Sequence, residues 1–211
     1  TTIGLIAINI LAWVFVQGLG SEPKLGASVS TLGLVPGELL QTLAAGTRFE
    51  IGPGMQCVLT DTPNWASAVS HMFLHGGWLH IIGNLWFLWI FGTNVEDSMG
   101  HLRFLVFYLL CGVAAAALQI YSDPRSGIPM VGASGAIGGV MGAYVLLYPK
   151  VQVKMLVFLG IFVTTFTVPA FWMLGYWFVA QFIGGIGSIG AQGGGVAFWA
   201  HVGGFIAGAA M

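Results

Sequence analysis

Apolar runs of about twenty residues alternate with shorter polar ones along this chain, and their length predicts helices that cross a bilayer. The runs cover about 3–20, 75–92, 104–120, 134–148, 170–187 and 196–211. At ~1.5 Å of rise per residue, about twenty helical residues span a ~30 Å hydrocarbon core. Between the first two runs, residues 21–70 turn polar and rich in Pro and Gly, with Glu22, Lys24, Glu38, Arg48, Glu50 and Asp61. This stretch reads as a large extramembrane loop, with some amphipathic character around Leu39–Leu43. The second run ends in the polar Thr93–Arg103, the third at Tyr121–Arg125, and the fourth before Pro149-Lys150. The expected fold is all-α: a single polytopic membrane domain of six transmembrane helices over 1–211.

The stretch from Val151 to Gly187 admits two counts. Pro169 divides it, and the apolar piece before it, Met155–Val168, suits an interfacial or re-entrant segment better than a crossing. One span, about 170–187, is therefore expected there. Arg103, Lys150 and Lys154 follow the second and fourth spans, whereas the third is followed only by Arg125. The bias of cationic residues toward the inner side then places the large first loop outside.

Composition narrows the class further. Of 211 residues, 57% are hydrophobic and 6% charged, against about a quarter charged in soluble chains, so a water-exposed globule is excluded. A net charge of −1 and the lack of a basic run argue against a nucleic-acid partner. Cys57 and Cys111 fit neither a disulfide framework nor a zinc spacing. Gly135-x3-Gly139, Gly138-x3-Gly142 and Gly204-x3-Gly208 put small residues one turn apart, so the fourth and sixth helices are expected to pack closely. Packing alone accounts for most of these glycines.

Polar side chains inside a span are costly and are functional candidates by default. They are His75, His80 and Asn84 on the second helix, Ser134 opening the fourth, Gln181 on the fifth and His201 on the sixth. No Asp or Glu falls inside a span, so an aspartyl dyad is excluded. His71-Met-Phe-Leu-His75 has the histidine spacing of a zinc hydrolase without its glutamate, and two ligands make an incomplete metal site. What remains is a hydroxyl nucleophile with a histidine base, Ser134 and His201, working as a dyad. With one span between each pair, helices two, four and six enter from the same side, and His80, Ser134 and His201 lie at similar depth. His80 and Asn84, four residues apart on one helix face, offer donors for an oxyanion, as does the Ser134 backbone N–H.

These residues resemble the rhomboid family of intramembrane serine proteases. The matching motifs are His71-x3-His75-x4-His80-x3-Asn84, Gly132-x-Ser134-Gly135 and Ala200-His201-x2-Gly204-x3-Gly208, with Glu96-x3-Gly100 and Arg103 fitting the second loop. The resemblance implies a six-helix rhomboid-like bundle around a water-filled cavity that opens outward. It also implies Ser134 as nucleophile, His201 as general base, and His80 and Asn84 in the oxyanion hole. His71 and His75 would be structural. No metal or cofactor is implied, and the partners are the lipid bilayer and membrane-anchored protein substrates whose transmembrane helix is cut. A multi-pass protein of a bacterial or archaeal plasma membrane is expected.

Two positions depart from the family pattern. Trp65 is followed by Ala66 rather than Arg, and Gly138 stands where some members stack an aromatic on the base. His201 then needs another orienting partner. The fifth helix carries Phe171, Trp172, Tyr176, Trp177 and Phe178, and the second Trp86, Phe87 and Trp89; these faces are expected to meet as a lateral gate. Two rival readings share the residues: a catalytically inactive rhomboid-like protein that binds transmembrane clients, and a histidine-lined transporter, which would leave the Ser134 motif idle.

Overall fold

The computed structural model describes residues 1–52, 55–159, 162–189 and 195–211. Helix α1 (Thr2–Leu11) runs on through a π-helical turn at Ala12–Val16. The large loop is itself folded: α2 (Lys24–Leu32), α3 (Pro36–Leu39), the antiparallel strands β1 (Arg48–Gly52) and β2 (Met55–Val58), then α4 (Ser67–Ser70). Its small core joins Val35, Cys57 and Leu59. A bridge between Leu34 and Met130 ties the loop to the segment that precedes the fourth apolar run.

Helix α5 (Trp78–Phe87) passes through a π-helical turn at Leu88–Gly92 into α6 (Thr93–Met99). Residues 93–99, expected to be loop, are therefore helical. Their polar side chains fit a helix because they bond back to carbonyls one turn earlier. Thr93 Oγ1 donates to Trp89 O at 3.0 Å, Asn94 Nδ2 to Ile90 O at 2.9 Å, and Ser98 Oγ to Asn94 O at 3.1 Å. Then follow α7 (His101–Ser122), α8 (Ser134–Leu147), strands β3 (Gln152–Leu159) and β4 (Phe162–Pro169), α9 (Ala170–Ser188) and α10 (Phe198–Ala210).

Two hairpins thus interrupt an architecture expected to be all-α. The second matters more. Met155–Val168 is neither a crossing nor an apolar helix but most of the β3–β4 hairpin, with residues 160–161 outside those described. Its β-branched and aromatic content (Val153, Val157, Val163, Thr164, Thr165, Phe166, Val168) favours a pleated conformation over a helix. The hairpin returns the chain to where it left α8: Ala170 N donates to Val151 O at 2.8 Å. One helix, α9, then separates α8 from α10. That parity sets both helix N-termini at the same end of the bundle.

Helices α7 and α9 are long and apolar enough to cross a membrane by themselves. Around the bundle, large apolar side chains point away from the protein, among them Leu79 (88% exposed), Tyr176 (78%) and Leu102 (74%). So broad an apolar exterior is suited to lipid rather than water. The chain is a helical polytopic membrane protein.

The centre of the bundle is α8, packed against α7 and α10, which also pack against each other. Phe91, Phe104, Tyr108, Cys111, Val140, Met141 and Leu174 fill the space around it. Here the glycines act as contact surfaces rather than as flexible points. A Cβ at Gly204 would overlap the Gly135 carbonyl oxygen, one at Gly208 the Gly139 carbonyl, and one at Gly142 the Phe205 carbonyl. The two backbones are therefore in direct contact along three successive turns. Helix association in lipid depends on such close packing because burial of apolar surface supplies little drive there.

Gly208→Ala should lower the stability of the detergent-solubilised protein by about 1–3 kcal/mol, the usual cost of overpacking. A thermal unfolding midpoint equal to wild type would show that the α8–α10 backbones are not in contact.

Candidate active site

Ser134 is the first residue of α8, and at that level Gly204 of α10 leaves room for the Gly135 carbonyl while Gly135 itself admits Ala115 of α7. His201 stands in the first turn of α10. The close helix contact brings the two side chains, 67 residues apart in sequence, to a Ser134 Oγ–His201 Nε2 distance of 2.8 Å. Both are half-buried. The other imidazole nitrogen, Nδ1, lies 2.7 Å from Gln181 Oε1 on α9. The Trp177 ring lies 5.6 Å from the imidazole, inclined at 35°.

Trp177 and Gln181 are the parts of this site that sequence reasoning left without their role. In sequence Gln181 is one more intramembrane polar residue, and Trp177 one of a run of aromatics that suits a gate. Their i, i+4 spacing on one face of α9 was the available signal. The gate expectation changes accordingly. Trp177 and Phe178 face α10, with Phe178 at 4.8 Å from Phe205, and among the described residues no ring pair joins α5 to α9. At Gly138 an added Cβ would lie 3.0 Å from the His201 carbonyl and 3.7 Å from the Trp177 ring. The aromatic missing from α8 is thus supplied from α9.

His80, on α5, accepts a hydrogen bond from Gly76 N–H at its Nδ1 (3.2 Å), which leaves the ring proton on Nε2. That Nε2 borders Gly132: a Cβ there would come within 2.8 Å of it and 3.4 Å of Ser134 Oγ. Gly132 has φ +128, a conformation that side-chain-bearing residues rarely adopt. Asn84, buried beneath, commits one amide N–H to the His80 carbonyl at 2.7 Å and keeps the other. His80 Nε2 and Ser134 Oγ thus flank one point, the place where a Gly132 side chain would stand.

The remaining motif residues hold this space in shape. His71 is buried; its Nδ1–H donates to Ser67 O at 2.7 Å, and its own carbonyl accepts Gly132 N–H at 2.9 Å, so it pins the turn before α8. Burial pushes its imidazole pKa down to about 4, and the bond to the Ser67 carbonyl raises it only in part. His75 is fully buried with its ring edge-on to His80 at 5.1 Å. Its backbone is clasped by Gln17 of the first apolar run, whose Nε2 donates to His75 O (2.7 Å) and whose Oε1 accepts His75 N–H (2.8 Å). Gln17 and the buried Asn9 were absent from the sequence-derived inventory. Glu96 is buried, accepts the Thr2 N–H at 2.7 Å and meets the His101 ring, whereas Arg103 is exposed and forms no ion pair among the described residues. Neither Glu96 nor Arg103 reaches the Ser134 site. No cluster of three His, Cys, Asp or Glu side chains able to hold a metal occurs among the described residues.

Comparison with known proteins identifies the family. The family model described as "Rhomboid domain" matches residues 62–211. The chain is 39% identical over 85 residues to Rhomboid-like protein 11, chloroplastic, of Arabidopsis thaliana, covering 40% of this chain and 30% of that one. It is 34% identical over 147 residues to Rhomboid protease GluP of Bacillus subtilis, covering 70% and 26%. It is 32% identical over 127 residues to RHOMBOID-like protein 6, mitochondrial, of Arabidopsis thaliana, covering 60% and 36%. The chain therefore spans between a quarter and two-fifths of the length of these relatives. Because their names include plastid and mitochondrial proteins, they lend no support to a bacterial or archaeal plasma membrane in particular.

Two outcomes follow from this geometry. Gly132→Ala should cut the rate of fluorophosphonate labelling by about 10²-fold, the scale of a lost oxyanion donor, because the new methyl displaces His80; an unchanged rate refutes that packing. His71 titrates near 4 when folded and near 6.5 when unfolded, so the unfolded chain binds the extra proton between those values. Stability from this group is full above pH ~6.5 and falls by about 3 kcal/mol as pH drops to ~4. Unfolding midpoints measured across that window should decline less steeply for His71→Gln than for wild type.

Proposed function

This chain belongs to the rhomboid family, and from that premise we propose that it is an intramembrane serine endopeptidase that cleaves the transmembrane segments of membrane-anchored proteins. The single observation that carries the reading is the 2.8 Å approach of Ser134 Oγ to His201 Nε2 at one end of the bundle. Six crossings are part of the proposal: α1, α5 with α6, α7, α8, α9 and α10 together form one membrane domain over residues 1–211.

The reaction begins when Ser134 Oγ attacks the scissile carbonyl carbon and its proton passes to His201 Nε2. Negative charge then develops on the carbonyl oxygen. His80 Nε2–H, the free N–H of Asn84 and the Ser134 backbone N–H are the donors that meet it. Collapse breaks the C–N bond; the leaving amine takes the proton from Nε2 and an acyl-enzyme remains on Ser134. Water, deprotonated by the same nitrogen, attacks the ester, and the returning proton restores the hydroxyl. His80 and Asn84 are fixed before substrate arrives, so little reorganisation accompanies the charge.

Water must reach this site although the substrate comes from lipid. Helix α8 has 14 residues, which at ~1.5 Å each cover only about two-thirds of a ~30 Å core. Ser134 at its head can therefore sit below the outer surface beneath a wet recess. A groove of about 530 Å³ opens between α2, the β1–β2 hairpin and residues 128–131, with Leu25, Val29, Ile51, Met55, Pro129 and Val131 on its walls. It reaches Gly76, whose amide holds His80. This groove provides the path for water and for an unwound substrate segment.

Fluorophosphonate labelling and cleavage of a transmembrane substrate in detergent test the reading together. Wild type should be active in both, Ser134→Ala in neither, and His201→Ala should lose at least about 10³-fold in kcat. Asn84→Ala should lose less, on the order of 10²-fold, because two donors remain. A folded wild type that does not label favours an inactive client-binding role. Equal losses for His201→Ala and Asn84→Ala would show that the oxyanion roles are misassigned.

A further inference from the structure

We infer that Gln181 is a positioning residue for the catalytic base: its amide oxygen, reaching across from α9, holds His201 in the one tautomer that can accept the Ser134 proton. The inference rests on the serine endopeptidase reading above. A neutral imidazole carries one N–H and one lone pair, and only the form protonated at Nδ1 turns a lone pair toward Ser134. Gln181 Oε1, 2.7 Å from Nδ1, accepts a hydrogen bond there and cannot donate one. The Nδ1–H form is thereby selected, and Nε2 faces Ser134 Oγ at 2.8 Å ready to receive.

No carboxylate on the surrounding helices does this. All seven acidic residues lie at or before Asp123, so α8, α9 and α10 contain no carboxylate. An uncharged amide also suits the location, because an ionised carboxylate in a lipid-embedded site carries a far larger desolvation cost. The exchange has a chemical consequence. An amide selects tautomer and ring orientation without neutralising the imidazolium that forms as the reaction proceeds, so it acts chiefly on geometry. Trp177, one turn earlier on α9, limits ring rotation from the side. His80 of α5 is the other titratable group beside the ring, and it has no access to Nδ1, which Gln181 covers.

The position of Gln181 on α9 gives the contact a further meaning. Only Ala170, Leu174 and Gly185 of α9 are buried, so this helix is lightly seated, and the Gln181–His201 bond is a polar link from it to α10. The base is correctly oriented only while α9 rests against α10.

Steady-state cleavage of a transmembrane substrate by Gln181→Leu, Gln181→Asn and Gln181→Glu tests the inference, with wild type and Ser134→Ala measured beside them. Leu fills the space without an acceptor, Asn withdraws the acceptor by one methylene, and Glu restores it at the original reach. Gln181→Leu and Gln181→Asn should lose about 10–100-fold in kcat with KM little changed, a smaller loss than when the wrong tautomer is enforced. Gln181→Glu should exceed Gln181→Asn in kcat by about tenfold at alkaline pH, where its carboxyl is ionised and accepts from Nδ1 despite the desolvation cost. Should Gln181→Leu fail to fold, the contrast between Glu and Asn decides. Full activity in Gln181→Leu or Gln181→Asn, or a Glu variant as impaired as Asn, overturns the inference while leaving Ser134 and His201 untouched. An inactive wild type would instead sink the protease reading itself.

Discussion

Direct backbone contact between α8 and α10 is the constraint on which the rest of this protein depends. Two helices approach so closely only where a Cβ would otherwise strike the facing backbone, and Gly142, Gly204 and Gly208 supply those positions between α8 and α10, while Gly135 and Gly139 do the same toward α7. In lipid the contact forms through dispersion and close fit rather than by expulsion of water. Because α8 starts at Ser134 and α10 carries His201 in its first turn, the same contact that seals the middle of the bundle sets the hydroxyl against the imidazole at its end. Stability and chemistry are thus properties of one interface, read at different depths.

Around that interface the site is assembled almost wholly from neutral groups. Histidine, asparagine, glutamine and serine can each satisfy hydrogen bonds at a modest desolvation cost, whereas a buried carboxylate cannot. Each neutral group is therefore held by a specific partner: His80 by the Gly76 amide, Asn84 by its own helix, His201 by Gln181. A low-dielectric surrounding in this way suits a Ser134–His201 pair steadied by an amide better than one completed by an acid.

A second layer fixes the entrance. Gln17 clasps the backbone of His75, His71 holds the Gly132 amide, and Leu34 pairs with Met130. These bonds connect the first helix, the large loop and the turn before α8, three segments distant in sequence. The folded loop is consequently part of the wall of the site. Its departure from the family pattern after Trp65 is accommodated by other contacts: Asn64 donates to Thr31 O at 2.9 Å and Ser70 to Leu32 O at 2.7 Å.

The membrane character of the chain, the close approach of α8 and α10 and the standing of Ser134, His201, His80 and Asn84 as candidate residues were legible in the chain itself. Each is a local signal: an apolar run, a polar residue where lipid penalises one, a small residue every fourth position. Three features were not legible. Met155–Val168 could be a strand or an apolar helix because a short apolar run carries no decisive period, and only pairing with its neighbour resolved it. Residues 93–99 looked like loop because polar side chains that bond back along their own helix are indistinguishable in sequence from solvated ones. Gln17 and Gln181 had no visible role, since a lone amide reveals its partner only when helices far apart in sequence come to lie side by side. Sequence alone thus determined which groups lie in the membrane; tertiary packing decided what each one faces, because orientation between helices is set by contacts that no single helix contains.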